Sequence, residues 1–204
     1  EASGAVTTLA GSGEGGDADG VGGAAQFGAP DGLAISPDGS APPVAALVHH
    51  KIQRVEVASG AVTTLAGSGE EGDADGVGDA AQFNGPSGLA ISPDGSALFV
   101  ADQGNDKIRR VKVATGAVTT LAGSGAAGSV DGVGDAAQFE YPVALAISAD
   151  GTTLLVRMAC SALRQVCVSA PPPPPSFAPL VVPPSTFSTD MGKMCGDATL
   201  PQGM

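Results

Sequence analysis

The chain has 204 residues, 43% of them hydrophobic, with 31 glycines, 16 prolines and only 3% aromatic residues. That composition is too apolar for wholesale disorder and fits short strands joined by many turns. Nine basic against 21 acidic residues give a net charge of −12, which argues against a nucleic-acid or anionic-membrane partner, because no basic patch could displace phosphate counterions. No apolar run approaches the roughly 18 residues needed to span a bilayer, and Glu1 reads as a processed or truncated start.

In chain order, the first predicted element is a strand over Val6–Ala10, inside the phrase SGAVTTLAGSG that begins at Ser3. The phrase returns at Ser59 and, as TGAVTTLAGSG, at Thr115; both steps are 56 residues. A second phrase, DGVGDAAQF or DGVGGAAQF, ends at Phe27, Phe83 and Phe139 with the same step. A fixed period of this length marks one supersecondary unit per repeat, stacked on its neighbours. The units are predicted at about Leu33–Ala66, Leu89–Ala122 and Leu145–Val168, joined by long, acidic, glycine-rich connections such as Gly67–Phe83. The end of each connection, as at Asp79–Phe83, suits a helical turn that drops its phenylalanine between units. Burying each of Phe27, Phe83 and Phe139 is worth roughly 1.5–3 kcal/mol.

The middle copy reads as four strands: Gly88–Ser92, Ala97–Asp102, Lys107–Val113 and Val118–Ala122. Pro93-Asp94-Gly95, Gln103–Asp106 and Thr115-Gly116 supply the turns between them. Lys107–Val113 alternates charged and β-branched residues, so one face is expected to be wet. Four antiparallel strands per repeat, the inner one smallest, is the pattern of a propeller blade.

At these residues, PSGLAISPDGSALFVADQGNDKIRRVKV followed by TGAVTTLAGSG, the sequence resembles the NHL-repeat β-propellers in their long-linker form. The resemblance covers about residues 1–168. The first copy departs from it at Pro42–His50, and the third at Arg157–Val168, which is one residue shorter. The fold implied is all-β: about three four-stranded blades over residues 1–169, a half-propeller or propeller fragment, followed by an extended tail at 170–204. In this family Asp102, Asn105 and Arg109 resemble turn-fixing residues that tie one strand end to the next. Ala46, His49 and Gln53 replace them in the first copy.

The tail opens with a proline run that cannot donate ladder hydrogen bonds and prefers an extended polyproline helix. Its Pro, Ser and Thr content resembles hydroxyproline-rich cell-wall glycoproteins. Pro171, Pro172, Pro173, Pro174, Pro175, Ser176, Pro183, Pro184, Ser185 and Thr186 are the expected hydroxylation or O-glycosylation positions. Cys160, Cys167 and Cys195 make no zinc spacing; one disulfide to Cys195, or three unpaired thiols, both fit the sequence.

Residues able to carry chemistry are sparse. The GDADG loops (Asp17, Asp19, Asp73, Asp75) look superficially like calcium loops, but their glycine comes two residues too early, and they read as turns. His49 and His50 are adjacent, so on a strand they would point to opposite faces and could not easily share a metal. The zinc-dependent lyases among similar propellers use several histidines that this chain lacks. No enzyme activity, cofactor or metal is expected.

Two functions fit. One is an extracellular or cell-surface structural module that self-assembles as a homo-oligomer, closed pair or head-to-tail filament. The other is a propeller fragment that binds a protein or glycan on one face. The strand count favours assembly: Val6–Ala10 has no blade of its own, and the third copy lacks a fourth strand. The expected exchange sets Val6, Thr7, Thr8, Leu9 and Ala10 beside Leu163, Val166 and Val168 of another chain.

Overall fold

A computed structural model describes residues 4–40, 43–46, 48–159 and 163–168. Three antiparallel sheets follow one another along the chain. The first comprises β1 (Gly20–Val21), β2 (Pro30–Leu33), β3 (Pro43–Ala46), β4 (Lys51–Val55) and β5 (Ala61–Ala66). The second comprises β6 (Gly76–Val77), β7 (Pro86–Ile91), β8 (Ala97–Asp102), β9 (Lys107–Lys112) and β10 (Ala117–Ala122). The third holds β11 (Pro142–Ile147), β12 (Thr153–Met158) and β13 (Leu163–Cys167). The inner strand of each sheet begins about three residues before the expected unit, at Pro30, Pro86 and Pro142.

The first two blades have five strands rather than the expected four. Gly20–Val21 pairs with Ala61–Val62, and Gly76–Val77 pairs with Ala117–Val118. The connection before each blade therefore runs out along that blade's own outer edge before turning in. One turn of 3-10 helix follows, at Gly22–Ala24, Gly78–Ala80 and Gly134–Ala136. The predicted helical turn is present, and it delivers the phenylalanine as expected. Phe83 is buried with Ile52 and Ala66 of the first sheet and Leu89, Leu98 and Val111 of the second. Phe139 is buried with Phe99 and Ile108 of the second and Leu154 and Val156 of the third. The core thus lies between blades, and each strand sends alternate residues to the preceding and the following neighbour.

The inner strands approach too closely for side chains at one position. A Cβ on Gly32 would lie 1.8 Å from the Ser87 carbonyl oxygen, and one on Gly88 would lie 2.6 Å from Ala144 Cα. Glycine is therefore required where β2 meets β7 and where β7 meets β11. Buried Ser87 seals the second contact by donating from its hydroxyl to the Pro142 carbonyl at 3.3 Å.

Residues 6–10 belong to no sheet among the described residues, so the expected isolated strand is a segment without a ladder. It is nonetheless placed as one. A Cβ on Gly60 would lie 2.7 Å from the Leu9 carbonyl oxygen, just as one on Gly116 would lie 2.4 Å from that of Leu65 on β5. The segment stands against the first blade as β5 stands against the second. Ala10 and Phe27 pack there on Ala25, Val55 and Val62. The tail positions Pro171 to Thr186, with Cys160 and Cys195, lie outside the described residues. Cys167 is disulfide-bonded, which removes the alternative of three unpaired thiols.

Candidate functional site

The polar centre of the second blade is Arg109, on β9. The wet face expected of its strand is formed by exposed Arg110 and Lys112, while Arg109 is fully buried. Its guanidinium donates to Asp102 Oδ2 at 2.8 Å, Asp75 Oδ1 at 2.7 Å, and the carbonyls of Gln82 and Ala74, both at 3.1 Å. It also lies 5.4 Å from the centroid of the Phe83 ring. One side chain thus ties together a strand end, the acidic connection and the wedge phenylalanine. The buried Asp102 also accepts from Asn105 Nδ2 and from the Asn84 N–H, both at 2.8 Å. Burial pushes the Asp102 carboxyl above the usual carboxylate range, while these bonds and Arg109 pull the other way.

The GDADG carboxylates do more than shape turns. Asp75 accepts from the Thr120 N–H and hydroxyl, both at 3.2 Å, and so clasps the connection onto β10. Asp19 makes the same clasp to Thr64, at 2.8 and 3.1 Å. Asp17 and Asp73 pair with Lys51 and Lys107, whose hydrogen bonds hold both carboxyls below their usual range. Among the described residues no group of three or more His, Cys, Asp or Glu is placed to hold a metal ion.

The first blade lost Asp and Arg together, and Gln53 stands where Arg109 stands in the second. Gln53 is buried, with only long contacts to Asp19 Oδ1 at 3.4 Å and to the carbonyls of Asp17 and Gln26 at 3.5 Å. The third blade keeps the arginine as Arg164 and replaces the aspartate by buried Met158. Arg164 donates to the Val130 carbonyl at 3.0 Å, to the Gln138 carbonyl and to Asp131, and lies 5.3 Å from the Phe139 ring centroid.

Both ends of the blade row present exposed apolar side chains among the described residues. Leu33 is 61% exposed, although its counterpart Leu89 is 6% exposed against the preceding blade. Ile35 is likewise exposed, whereas Ile91 packs on the core. At the other end Leu155 and Leu163 are exposed where Phe99 and Ile108 are buried. Strand β13 pairs only with β12, and its outer edge is bare among the described residues. Of the residues expected to exchange, Val6 and Leu163 are exposed, and Val166 and Val168 are half-buried against the last core. The chain itself does not bring the two sets together. Sequence reasoning missed Asp131, Gly132 and Val133 at this same edge; their 56-residue offset from Asp75, Gly76 and Val77 was the available signal.

No family model matches the chain. It is 30% identical over 148 residues to Protein SUPPRESSOR OF QUENCHING 1, chloroplastic, of Arabidopsis thaliana, covering 69% of this chain. It is 35% identical over 142 residues to NHL repeat-containing protein 2 of Bos taurus, covering 65%. The chain spans 14% and 20% of the lengths of these relatives. An auxiliary nutrient binding protein from Bacteroides thetaiotaomicron superimposes with a TM-score of 0.54 at 22% identity, over 61% of this chain and 33% of that one. A structural genomics protein of unknown function from the same organism gives 0.60 at 22% identity, over 66% and 34%. The fold is that of β-propeller blades. No described helix is long and apolar enough to cross a membrane.

Proposed function

We propose that this chain is a non-enzymatic interaction module, a run of propeller blades that works by joining further blades at its two open ends. The observation that carries this is the exposure of Leu33 and Ile35 at one end and of Leu155 and Leu163 at the other, where the equivalents Leu89, Phe99 and Ile108 are buried and Ile91, Leu145 and Ile147 half-buried between blades. Three sheets are fewer than the roughly four to eight that close a ring. Two copies meeting end to end would bring twice three, a six-bladed ring; an open repeat of the same contact gives a filament. The disulfide at Cys167 and the tail composition favour an oxidising, extracellular or cell-surface setting.

A second reading is favoured by length. The chain spans about a third of the propeller structures it resembles, one of which is named a nutrient-binding protein. In that reading it is part of a ligand-binding propeller, with a protein or glycan on one face. Light scattering coupled to size exclusion separates the two. A concentration-dependent dimer or a ladder of multiples supports assembly. A chain that stays monomeric to about 100 μM, where even weak interfaces of micromolar Kd are filled, refutes assembly and leaves the second reading.

A further inference from the structure

The third blade carries a prebuilt acceptor for an outer strand, and its parts can be read from the other two. In those blades three elements hold the outer strand: the ladder to the third strand, the two-residue strand from the connection, and the aspartate clasp. All three are in place in the third blade without the strand itself. Gly132–Val133 pairs with nothing among the described residues, yet Val133 holds φ −109° and ψ 133°, against −119° and 130° at Val21 and −118° and 128° at Val77. Its side chain is 82% exposed, compared with 60% and 57% for the paired Val21 and Val77. Asp131 pairs with Arg164 as Asp75 pairs with Arg109, but the Asp131 side chain is 98% exposed where Asp75 is 50% exposed. Among the described residues the threonine that covers Asp75 has no counterpart on Asp131. Gly22 and Gly78 donate their N–H to the carbonyls of Gly60 and Gly116 at 3.0 and 3.1 Å, whereas no acceptor faces the Gly134 N–H among the described residues.

We propose that this acceptor is filled by residues 4–10 of a second copy of the chain, with Thr8 clasped by Asp131. This rests on the reading that the chain self-assembles. The occupant is chosen on three grounds. GAVTTLAGSG begins at Gly4, Gly60 and Gly116, so this segment carries the same sequence as the two strands that fill this place. It already stands against the first blade as the outer strand of a preceding blade, and lacks only that blade's inner three strands. Among the described residues the third blade supplies three inner strands and no outer one. The chain's own tail is a poor occupant, because Pro171–Pro175 cannot donate to a ladder.

The register follows from β9 and β10, where Val118 faces Val111, Thr119 faces Arg110 and Thr120 faces Arg109. In the exchanged blade Val6 faces Val166, Thr7 faces Gln165 and Thr8 faces Arg164. The Thr8 N–H and hydroxyl donate to Asp131, and the Gly134 N–H donates to the Gly4 carbonyl. Completing the blade this way also brings Leu155 and Leu163 of one copy toward Leu33 and Ile35 of the other, so strand and faces close together.

The test mixes full-length chains carrying Thr7→Cys with chains carrying Gln165→Cys under mild oxidation. Both positions are exposed, so neither change threatens folding. The expected product is a heterodimer whose cross-link maps to residues 7 and 165 by peptide mass spectrometry. Asp131→Ala, a change at an exposed side chain, should weaken association about tenfold, the ordinary worth of a hydrogen bond to a charged group. Chains that associate without the 7–165 link, and with affinity unchanged by Asp131→Ala, overturn the strand exchange while leaving assembly through the blade faces intact. Chains that stay monomeric overturn both. A link that forms within single chains carrying both cysteines, and never between chains, also overturns it.

Discussion

The Nδ1 atom of His50 accepts a hydrogen bond from the backbone N–H of Gly85 at 3.0 Å. One repeat later Asp106 accepts from the N–H of Tyr141 at 2.7 Å. Histidine and aspartate do the same work, joining the end of one blade to the start of the next, and both residues adopt left-handed backbone, with φ of 50° and 52°. His50 therefore owes its place to a blade contact, where it stands in for the aspartate of the second blade. Replacing His50 by Asp should preserve stability to within a few tenths of a kcal/mol. His50→Ala, which leaves the Gly85 N–H unpaired, should cost about 1 kcal/mol, read as a shift in the urea midpoint at unchanged slope.

The Arg109–Asp102 pair predicts a non-additive result. Arg109→Leu leaves a buried carboxylate without its cation and should destabilise by about 3–5 kcal/mol. The double change Asp102→Ala with Arg109→Gln recreates the combination that the first blade carries as Ala46 and Gln53. It should cost clearly less than the two single changes added together. A double-mutant cycle in urea checks this, and additivity would refute the coupling.

Acid should weaken the fold through the exposed turns between the first and second strands of the blades. The Asp38 carboxyl is held at about 2, below its ordinary 3.8, chiefly by the Ser40 N–H and then by the Ser36 hydroxyl. Asp94 is held at about 2 chiefly by the Ser92 hydroxyl and then by the Ser96 N–H. Because the folded values lie below the unfolded ones, the contribution is complete above about pH 4 and is lost as the pH falls through about 2. Stability measured in urea should fall across that window. The Asp38→Asn, Asp94→Asn double variant should show a shallower fall, and an identical slope would contradict the assignment.

Ala29 and Tyr141 occupy the position that is glycine at Gly85, and hold φ of 46° and 49° where Gly85 holds 58°. Left-handed backbone costs a residue with a side chain about 1 kcal/mol. Ala29→Gly should therefore stabilise the first blade by up to about 1 kcal/mol, visible as a raised thermal midpoint, despite the added freedom of the unfolded chain.

The sequence carried the period, the strand types and the wedge phenylalanines, because each depends on local patterning repeated at a fixed step. It did not carry the fifth strand of the first two blades, since Gly20–Val21 and Gly76–Val77 are too short to show alternation and are strands only by virtue of what they lie beside. The turn-fixing role expected of Asp102, Asn105 and Arg109 is present, but the second carboxylate on Arg109 was not legible. That partner, Asp75, lies 34 residues away on a connection that looked like a solvated loop, and only the folded path brings the two within 2.7 Å. The segment Val6–Ala10 was legible from the repeat, while Asp131–Gly134 was obscured in a copy that has lost the counterparts of Glu70, Glu71 and Asp73.

Because the connection ahead of each blade clasps that same blade's outer strand, the self-sufficient segment of this chain is not the run of four strands but the connection together with the strands that follow it. Cut at Gly67 and Ala122, one such segment carries its own aspartate clasp, its own wedge phenylalanine and its own edge cover. A gene duplication with those boundaries inserts a finished blade and asks nothing new of its neighbours, whereas one cut at the strand borders would separate Asp75 from Thr120. The near-identical wording of successive repeats, connections included, is what copying in the first of these frames leaves behind.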